Sequence, residues 1–286
     1  MKNNIRTKQV IIIAAILLLV GFLFSREIKA LVIPKEETAQ MPAAQQQSTA
    51  TLSIEEASAT AKNLVSNATA KDITLLETKY QTAKAEEKIA NAKVLAQKWE
   101  DFEQSIPSAM YLEVIANNEP SLNNWLIAGN RFLKAFDNTQ DSLVQPIMLQ
   151  KANTSFTKAL AIDTTNNDAK TGLGITIVNG MGAPMQGIAM LMDVVKKDPK
   201  NLKANMNLGM FAIKSGQFDK ATVRFNDIIN NIKATPDAYF YLATAYENLG
   251  KNNEAIDAYL NSKKLAASPT ISTFVDKKVA ELKNKR

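Results

Sequence analysis

Two segments near the carboxyl terminus repeat one pattern of residue types at a constant spacing. They are LGMFAIKSGQFDKATVRF at 208–225 and LATAYENLGKNNEAIDAY at 242–259. Few letters are identical, yet four kinds of position coincide at an offset of 34 residues: Leu208 and Leu242, Gly216 and Gly250, Ala221 and Ala255, and Phe225 and Tyr259. A fixed period of this length predicts structural units that stack in series, each in contact with its neighbours.

The repeating unit is predicted to be a pair of helices. Apolar residues step by three and four along the chain, and no stretch shows sustained two-residue alternation. Turn signals divide the chain after residue 105 into helices of about 12 to 16 residues. These breaks fall near Pro107, 118–120, 138–145, 164–167, 180–184, 198–199, 215–216, 235–236, 249–250 and 268–269. The sequence therefore predicts an all-α protein.

The pattern resembles the tetratricopeptide repeat (TPR) family, whose units also recur every 34 residues. The last unit matches it at Leu242, Ala243, Tyr246, Ala255, Tyr259 and Pro269. The preceding unit matches it at Leu208, Gly209, Ala221, Phe225 and Pro236, with Ala212 where the family has an aromatic residue. Small residues such as Gly209 allow two helices to approach closely, and large residues fill the gaps between them.

The resemblance extends over about residues 89–269 and weakens toward the amino terminus. An earlier unit has Leu173, Gly174, Gly187, Leu191 and Pro199, and the one before it has Trp125, Gly129, Phe132, Ala152, Phe156 and Ala159. A first unit has Leu95, Ala96, Trp99, Ser108 and Leu112. The resemblance implies a right-handed superhelix of about five helical hairpins. A capping helix at 270–286 would cover the last hairpin with Ile271, Phe274, Val275, Val279 and Leu282.

A helical extension at 53–88 is expected before the array. It opens with Ser53 and Glu56 at the spacing of a capping box. The run from Asp72 to Gln104 contains no glycine or proline and is predicted to form one long helix. Its apolar stripe shifts midway, which favours packing against two different neighbours over a two-stranded coiled coil.

The amino terminus is predicted to anchor the chain in a membrane. Residues 1–9 carry Lys2, Arg6 and Lys8, and an apolar run at 10–25 follows, long enough to span a bilayer. The alternative is a cleaved signal peptide, but no small-x-small triplet follows the run. Residues 26–52 are predicted to be a flexible linker. We expect the amino terminus inside and the folded part in the periplasm of a Gram-negative bacterium.

Composition excludes several kinds of chemistry. The chain has no cysteine and no histidine, so it cannot build a Cys/His zinc site, a disulfide, a Ser-His-Asp triad or a thiolate nucleophile. Residues 171–184, TGLGITIVNGMGAP, fit neither glycine-rich nucleotide-binding motif, and Gly174 is predicted to be a small residue at a helix contact. The acidic groups Glu86 with Glu87, and Glu100 with Asp101 and Glu103, are interpreted as solvated helix faces. No enzyme activity, cofactor or metal is predicted.

The net charge of +6 is spread thinly along the chain. Lysines and an arginine gather only at the carboxyl-terminal tail, and they are interpreted as the polar face of a solvated helix. Nucleic acid is therefore not expected as a partner. The oligomeric state is left open.

The resemblance also implies a binding surface, because the first helix of each hairpin lines the inner side of a TPR array. The residues carried over with the family pattern are Ile175, Val178, Lys203, Met206, Met210, Ile213, Lys214, Asp237, Phe240, Thr244, Glu247 and Asn248. Earlier hairpins would add Asn123, Leu126, Asn130, Leu133, Lys134, Asp168, Thr171 and Asn179. Met206 and Met210 stand where some members carry a Lys and Asn carboxylate clamp. Met181, Met185, Met190 and Met192 are interpreted as core residues.

This lining is apolar with scattered polar groups and is typical of a groove that binds a peptide or an amphipathic helix. The sequence thus predicts a membrane-anchored scaffold that binds other proteins or peptides, in an envelope assembly or secretion complex. The alternative is a structural or oligomerising subunit that uses its convex face or its amino-terminal helices.

Overall fold

The computed structural model of the chain describes residues 51–180 and 182–284. These residues contain thirteen α-helices and one π-helical segment, and no strand. The predicted all-α class is confirmed for this part of the chain. The predicted membrane helix at 10–25 and most of the linker at 26–52 lie outside it. None of the helices within it combines the length and the apolar character that crossing a bilayer requires.

The helices follow one another through short connections. They are α1 (Ile54–Lys62), α2 (Asn67–Thr82), α3 (Ala85–Asp101), α4 (Ser105–Asn118), α5 (Leu122–Asn138), α6 (Val144–Ile162), α7 (Asn167–Gly180), α8 (Pro184–Lys197), α9 (Leu202–Lys214), α10 (Phe218–Asp227), α11 (Pro236–Asn248), α12 (Asn252–Ala266) and α13 (Pro269–Asn284). The π-helical segment (Ile228–Ile232) extends α10.

Packing groups these helices into a series of pairs. Contacts are extensive within α3/α4, α5/α6, α7/α8, α9/α10 and α11/α12, and each pair also packs on the next. The first helices of successive pairs contact one another as well, α5 with α7, α7 with α9, and α9 with α11. Five hairpins in series are therefore present between Ala85 and Ala266. The first of them begins slightly before the predicted boundary at residue 89.

Small residues permit the close helix approaches. Within the α7/α8 hairpin a β-carbon on Gly187 would lie 2.5 Å from the carbonyl oxygen of Gly174, so the two backbones touch. The ring of Phe156 on α6 fills the space beside Gly129 on α5 of its own hairpin and beside Gly172 on α7 of the next hairpin. Gly174 is thus a helix-contact residue, as predicted.

The helical extension differs from the prediction. The expected single helix from Asp72 to Gln104 is wrong, because α2 ends at Thr82, Lys84 is extended, and α3 begins at Ala85 and ends at Asp101. The shift in the apolar stripe marks this helix boundary. Two shorter helices can each turn their own stripe toward the core, which a single straight helix cannot do. The capping box of Ser53 and Glu56 is present at the start of α1.

The capping helix α13 covers the last hairpin as predicted. Val275, Val279 and Leu282 are buried in the carboxyl-terminal core, and Ile271 is half-buried against it. Phe274 remains 44% exposed and packs on Phe240, with ring centroids 5.6 Å apart.

Two further predictions from the sequence are wrong. Met185 and Met192 are not core residues, because their side chains are 75% and 57% exposed on α8. Met190 is half-buried, and Met181 lies outside the described residues. Glu100 does not belong to a solvated face either. Its carboxylate pairs with Arg131 and Lys134 on α5, because the first hairpin packs on the second at this point.

A candidate partner-binding surface

The first helices of the last four hairpins share one surface, which we call the inner surface. The contact that defines it joins α9 to α5, across the intervening α7. Lys203 on α9 donates a hydrogen bond from Nζ to Oδ1 of Asn130 on α5, 73 residues earlier in the chain. Two residues that the family pattern assigned to the binding surface are thereby brought together. Only a curved array can bring two alternate hairpins within the length of one side chain.

Lys203 is half-buried in this surface. Its Nζ also lies over the ring of Phe156, 5.8 Å from the centroid. Burial lowers the pKa of Lys203, because the charged ammonium is partly removed from water, and Asp168 and Asp137 oppose that shift. A lysine so placed presents a partly desolvated positive charge, which binds an anionic or carbonyl group more strongly than an exposed lysine does.

A second lysine and an aspartate extend the polar part of the inner surface. Lys214, at the end of α9, donates to Oδ1 of Asn179 on α7 at 3.0 Å. Asp137, at the end of α5, is exposed, although nearby protein atoms partly desolvate its carboxyl group and raise its pKa, a shift that Lys214 and Lys203 oppose. Charges of both signs therefore lie close together on α5, α7 and α9.

The predicted apolar lining is less open than the sequence suggested. Met206, Met210 and Ile213 on α9 are half-buried against the carboxyl-terminal core. Ile175 on α7 is only 6% exposed and belongs to the main core. Val178 packs close to Gly187 of its own hairpin. The α7 positions turn inward because the glycine contacts draw α7 toward its neighbours.

On α11 the capping helix occupies part of the predicted surface. Phe240 packs on Phe274 of α13, and Glu247 accepts hydrogen bonds at 2.9 Å from both Lys278 of α13 and the hydroxyl of Tyr259. Toward the carboxyl-terminal end of α11, the side chains of Thr244 and Asn248 donate hydrogen bonds to backbone carbonyl oxygens of the same helix. Asp237 and Asn248 are exposed. The accessible inner surface therefore comprises α5, α7 and α9 and the two ends of α11.

The remaining predicted positions divide between surface and interior. Asn123, Asn130 and Asp168 are exposed, and Leu126 is half-buried. Leu133 is 7% exposed and Thr171 is fully buried, so neither offers surface. Lys134 is exposed but pairs with Glu100 at 3.0 Å. Residues of the interior and of ion pairs thus interrupt the predicted lining on α5 and α7.

Sequence reasoning missed two residues of this surface. Tyr241 on α11 is half-buried, and burial raises the pKa of its hydroxyl, with Asp237 and Asp137 adding to the shift. Neither Tyr241 nor Asp137 stands at a position that the family pattern marks. Only the curvature of the array brings them near the predicted set.

A family comparison identifies one repeat directly. Residues 237–264 match the model of the tetratricopeptide repeat. This segment is similar to a tetratricopeptide repeat. The matched segment covers most of α11 and α12, the hairpin in which the sequence pattern is most complete. No curated protein is significantly similar to the chain in sequence.

Several solved structures align with the chain over most of their own length. PilW, a widely conserved type IV pilus biogenesis factor, aligns with a TM-score of 0.50 at 17% identity over 71% of this chain and 93% of its own. MamA aligns with a TM-score of 0.43 at 18% identity over 60% of this chain and 95% of its own. YrrB, a TPR protein with an unusual peptide-binding site, gives 0.41 at 16% identity over 68% and 94%. At these identities the likeness concerns the fold alone.

Proposed function

We propose that the chain is a membrane-anchored TPR scaffold, without enzyme activity, that binds a protein or peptide partner on its inner surface. The observation that carries the proposal is the contact between Lys203 and Asn130. It gathers the predicted positions of α5, α7 and α9 on one curved surface. Half-buried methionines beside partly desolvated charges suit a segment that carries both apolar and polar side chains.

The anchor is proposed from the sequence of residues 10–25. With the amino terminus inside, residues 26–286 would lie in the periplasm of a Gram-negative bacterium. Tethering would then raise the effective concentration of the inner surface for membrane-bound partners. A partner in an envelope assembly or secretion complex fits this placement. Protease protection of the folded part in intact cells, lost when the outer membrane is permeabilised, tests it.

The experiment on the inner surface exchanges the charges of two exposed residues there. The variant combines Lys214→Glu with Asp237→Lys, and the matched control combines Lys264→Glu with Asp257→Lys on α12. Both preserve net charge. In-cell crosslinking of the full chain is expected to recover the partner with the control and to lose most of it with the inner-surface variant.

The rival hypothesis is a structural or oligomerising subunit that binds through its convex face. It predicts the opposite outcome, retention with the inner-surface variant and loss with the α12 variant. Circular dichroism of both variants checks that the helices remain folded. Equal recovery with the two variants would contradict the inner-surface proposal.

A further inference from the structure

A groove outside the inner surface presents two methionines to solvent. We call it the outer groove. It lies between α8 and α10, with α9 as its floor, and its volume is about 800 Å³. Met185 and Met192, on the α8 wall, are 75% and 57% exposed, and Ile188 between them is half-buried. Their separation of about two helical turns places the two thioethers on the same side of α8.

Methionine is the side chain of this protein that a mild oxidant would attack. Peroxides oxidise the thiolate of cysteine and the thioether of methionine. The chain has ten methionines and no cysteine. Its two tryptophans, Trp99 and Trp125, which stronger oxidants modify, are 0% and 4% exposed. The methionines are therefore the groups through which a peroxide can change the folded protein.

Solvent access separates the methionines of the described residues into three groups. Met110 and Met148 are buried in the main core, at 3% and 0% exposure. Three more are half-buried: Met190, Met206 and Met210. Met185 and Met192 alone in this part of the chain have most of the side chain in water. Oxidation depends on the access of the oxidant to the sulfur, so the fold directs it to the outer groove.

We propose that Met185 and Met192 form a reversible oxidation site, at which hydrogen peroxide converts both thioethers to sulfoxides in the folded protein. In each reaction a sulfur lone pair attacks one peroxide oxygen, an S–O bond forms, and the O–O bond breaks. The other oxygen leaves as hydroxide and takes the proton from the new S–OH group, which gives the sulfoxide and water. The sulfur is oxidised by two electrons, and the peroxide is reduced by two. Methionine sulfoxide reductases reverse the change, with thiols as the reductant.

Oxidation at this site changes the groove and leaves the core intact. A sulfoxide is polar and accepts hydrogen bonds, and at these two positions it lies in water rather than in an apolar interior. The rest of the apolar lining, which includes Leu208, Phe211 and Val223, does not react with peroxide. The two methionines therefore control whether the α8 wall is apolar or polar. Met206 and Met210 of the inner surface are half-buried, so the site does not depend on the proposed partner binding there.

The test follows each methionine in the full chain, held in lipid nanodiscs and isotope-labelled at the methionine methyl groups. Nuclear magnetic resonance separates thioether from sulfoxide methyl signals, and single substitutions by leucine assign them. In dilute hydrogen peroxide, Met185 and Met192 are expected to react at least about tenfold faster than Met110 and Met148. The thermal unfolding curve, followed by circular dichroism, is expected to stay unchanged. Methionine sulfoxide reductases are expected to restore both signals.

Two pairs of variants make the result specific. Met185→Leu with Met192→Leu keeps the apolar surface and should lose the fast reaction, whereas Met206→Leu with Met210→Leu should keep it. Labelling of Val223 by an apolar photoreactive diazirine measures the polarity of the groove. This labelling is expected to fall when the wild type is oxidised and to stay constant when the Met185→Leu, Met192→Leu chain is treated in the same way.

Four outcomes would overturn the proposal. The first is reaction of Met185 and Met192 as slowly as the buried methionines, which a second copy packed on α8 would cause. The second is a loss of thermal stability in step with their oxidation. The third is failure of the reductases to restore the two signals, and the fourth is diazirine labelling of Val223 that oxidation leaves unchanged.

Discussion

The ring of Phe225 on α10 fills the space in which a side chain on Gly209 of α9 would begin. A β-carbon at Gly209 would lie 2.6 Å from Cζ of Phe225, far inside van der Waals contact. Gly209 has no unusual backbone conformation and is required for packing alone. In the next hairpin, Ala243 and Tyr259 stand at the equivalent places, and both are buried. The 34-residue offset in the sequence therefore places a small residue and a buried aromatic ring at equivalent positions in both hairpins.

The first prediction concerns this contact. Gly209→Val is expected to lower the free energy of unfolding by about 1–3 kcal/mol, because the added methyl groups must displace the Phe225 ring from a filled core. Thermal unfolding followed by circular dichroism measures it. Combining Gly209→Val with Phe225→Leu is expected to cost less than the sum of the two single changes, since the smaller side chain leaves room. If the two losses of stability simply add in the double variant, the Phe225 ring does not limit the size of the side chain at position 209.

The second prediction concerns the capping helix. Leu282→Ala is expected to cost about 2–5 kcal/mol, because Leu282 is 1% exposed at the end of the array. Terminal units of a repeat array open before internal ones, so hydrogen exchange should accelerate in α11, α12 and α13 and stay unchanged in α5 and α6. Lys277→Ala on the exposed face of α13 is the control. Uniform acceleration over all helices would contradict serial stacking.

The third prediction concerns the ion cluster between the first two hairpins. Arg131 on α5 pairs with Glu100 and donates at 3.1 Å to Oγ of Ser108, which in turn donates to the carbonyl of Ala96. Arg131→Met is expected to cost about 1–3 kcal/mol, because it leaves Glu100 partly buried with only Lys134 as partner. Adding Glu100→Gln should recover part of this loss. Denaturant titration measures both variants.

An exposed ion pair provides the control for that experiment. Lys93 and Glu119 are 2.8 Å apart, but both side chains are about half exposed. Lys93→Met is therefore expected to change stability by at most about 1 kcal/mol, since water screens the charges. A loss of stability as large as that from Arg131→Met would contradict the inference that burial makes the Arg131–Glu100 pair the stronger of the two.

The fourth prediction concerns stability at high pH. Burial raises the pKa of Tyr259 to about 12, and its hydrogen bond to Glu247 adds to the shift. An unfolded tyrosine ionises near pH 10, so between about pH 10 and 12 the unfolded chain loses a proton that the folded chain keeps. The contribution of Tyr259 is therefore full below pH 10 and is lost as the pH rises toward 12. The Tyr259→Phe variant should lose less stability over this interval than the wild type. If the free energy of unfolding falls with pH in parallel for the two proteins, Tyr259 is not the group responsible.

Much of the fold could be predicted from local pattern. Turn residues mark most helix ends, and the coinciding small and aromatic positions indicate hairpins, because these features depend on neighbours within one or two units. The long helix through Ala83 and Lys84 was predicted wrongly, because both residues are compatible with a helix and only the packing of α2 and α3 separates them. Met185 and Met192 were assigned to the core, because a methionine stripe looks the same on a buried face and on an exposed one.

The sequence by itself determined the helical class, the period and the identity of the residues that pack each hairpin. These follow from side-chain volume and spacing along a single helix, which local chemistry fixes. Only the tertiary structure decided which side chains meet across hairpins, as Lys203 meets Asn130 and as Ile175 turns inward. The physical reason is that the curvature of the array accumulates from small rotations at each interface, and no local pattern encodes their sum.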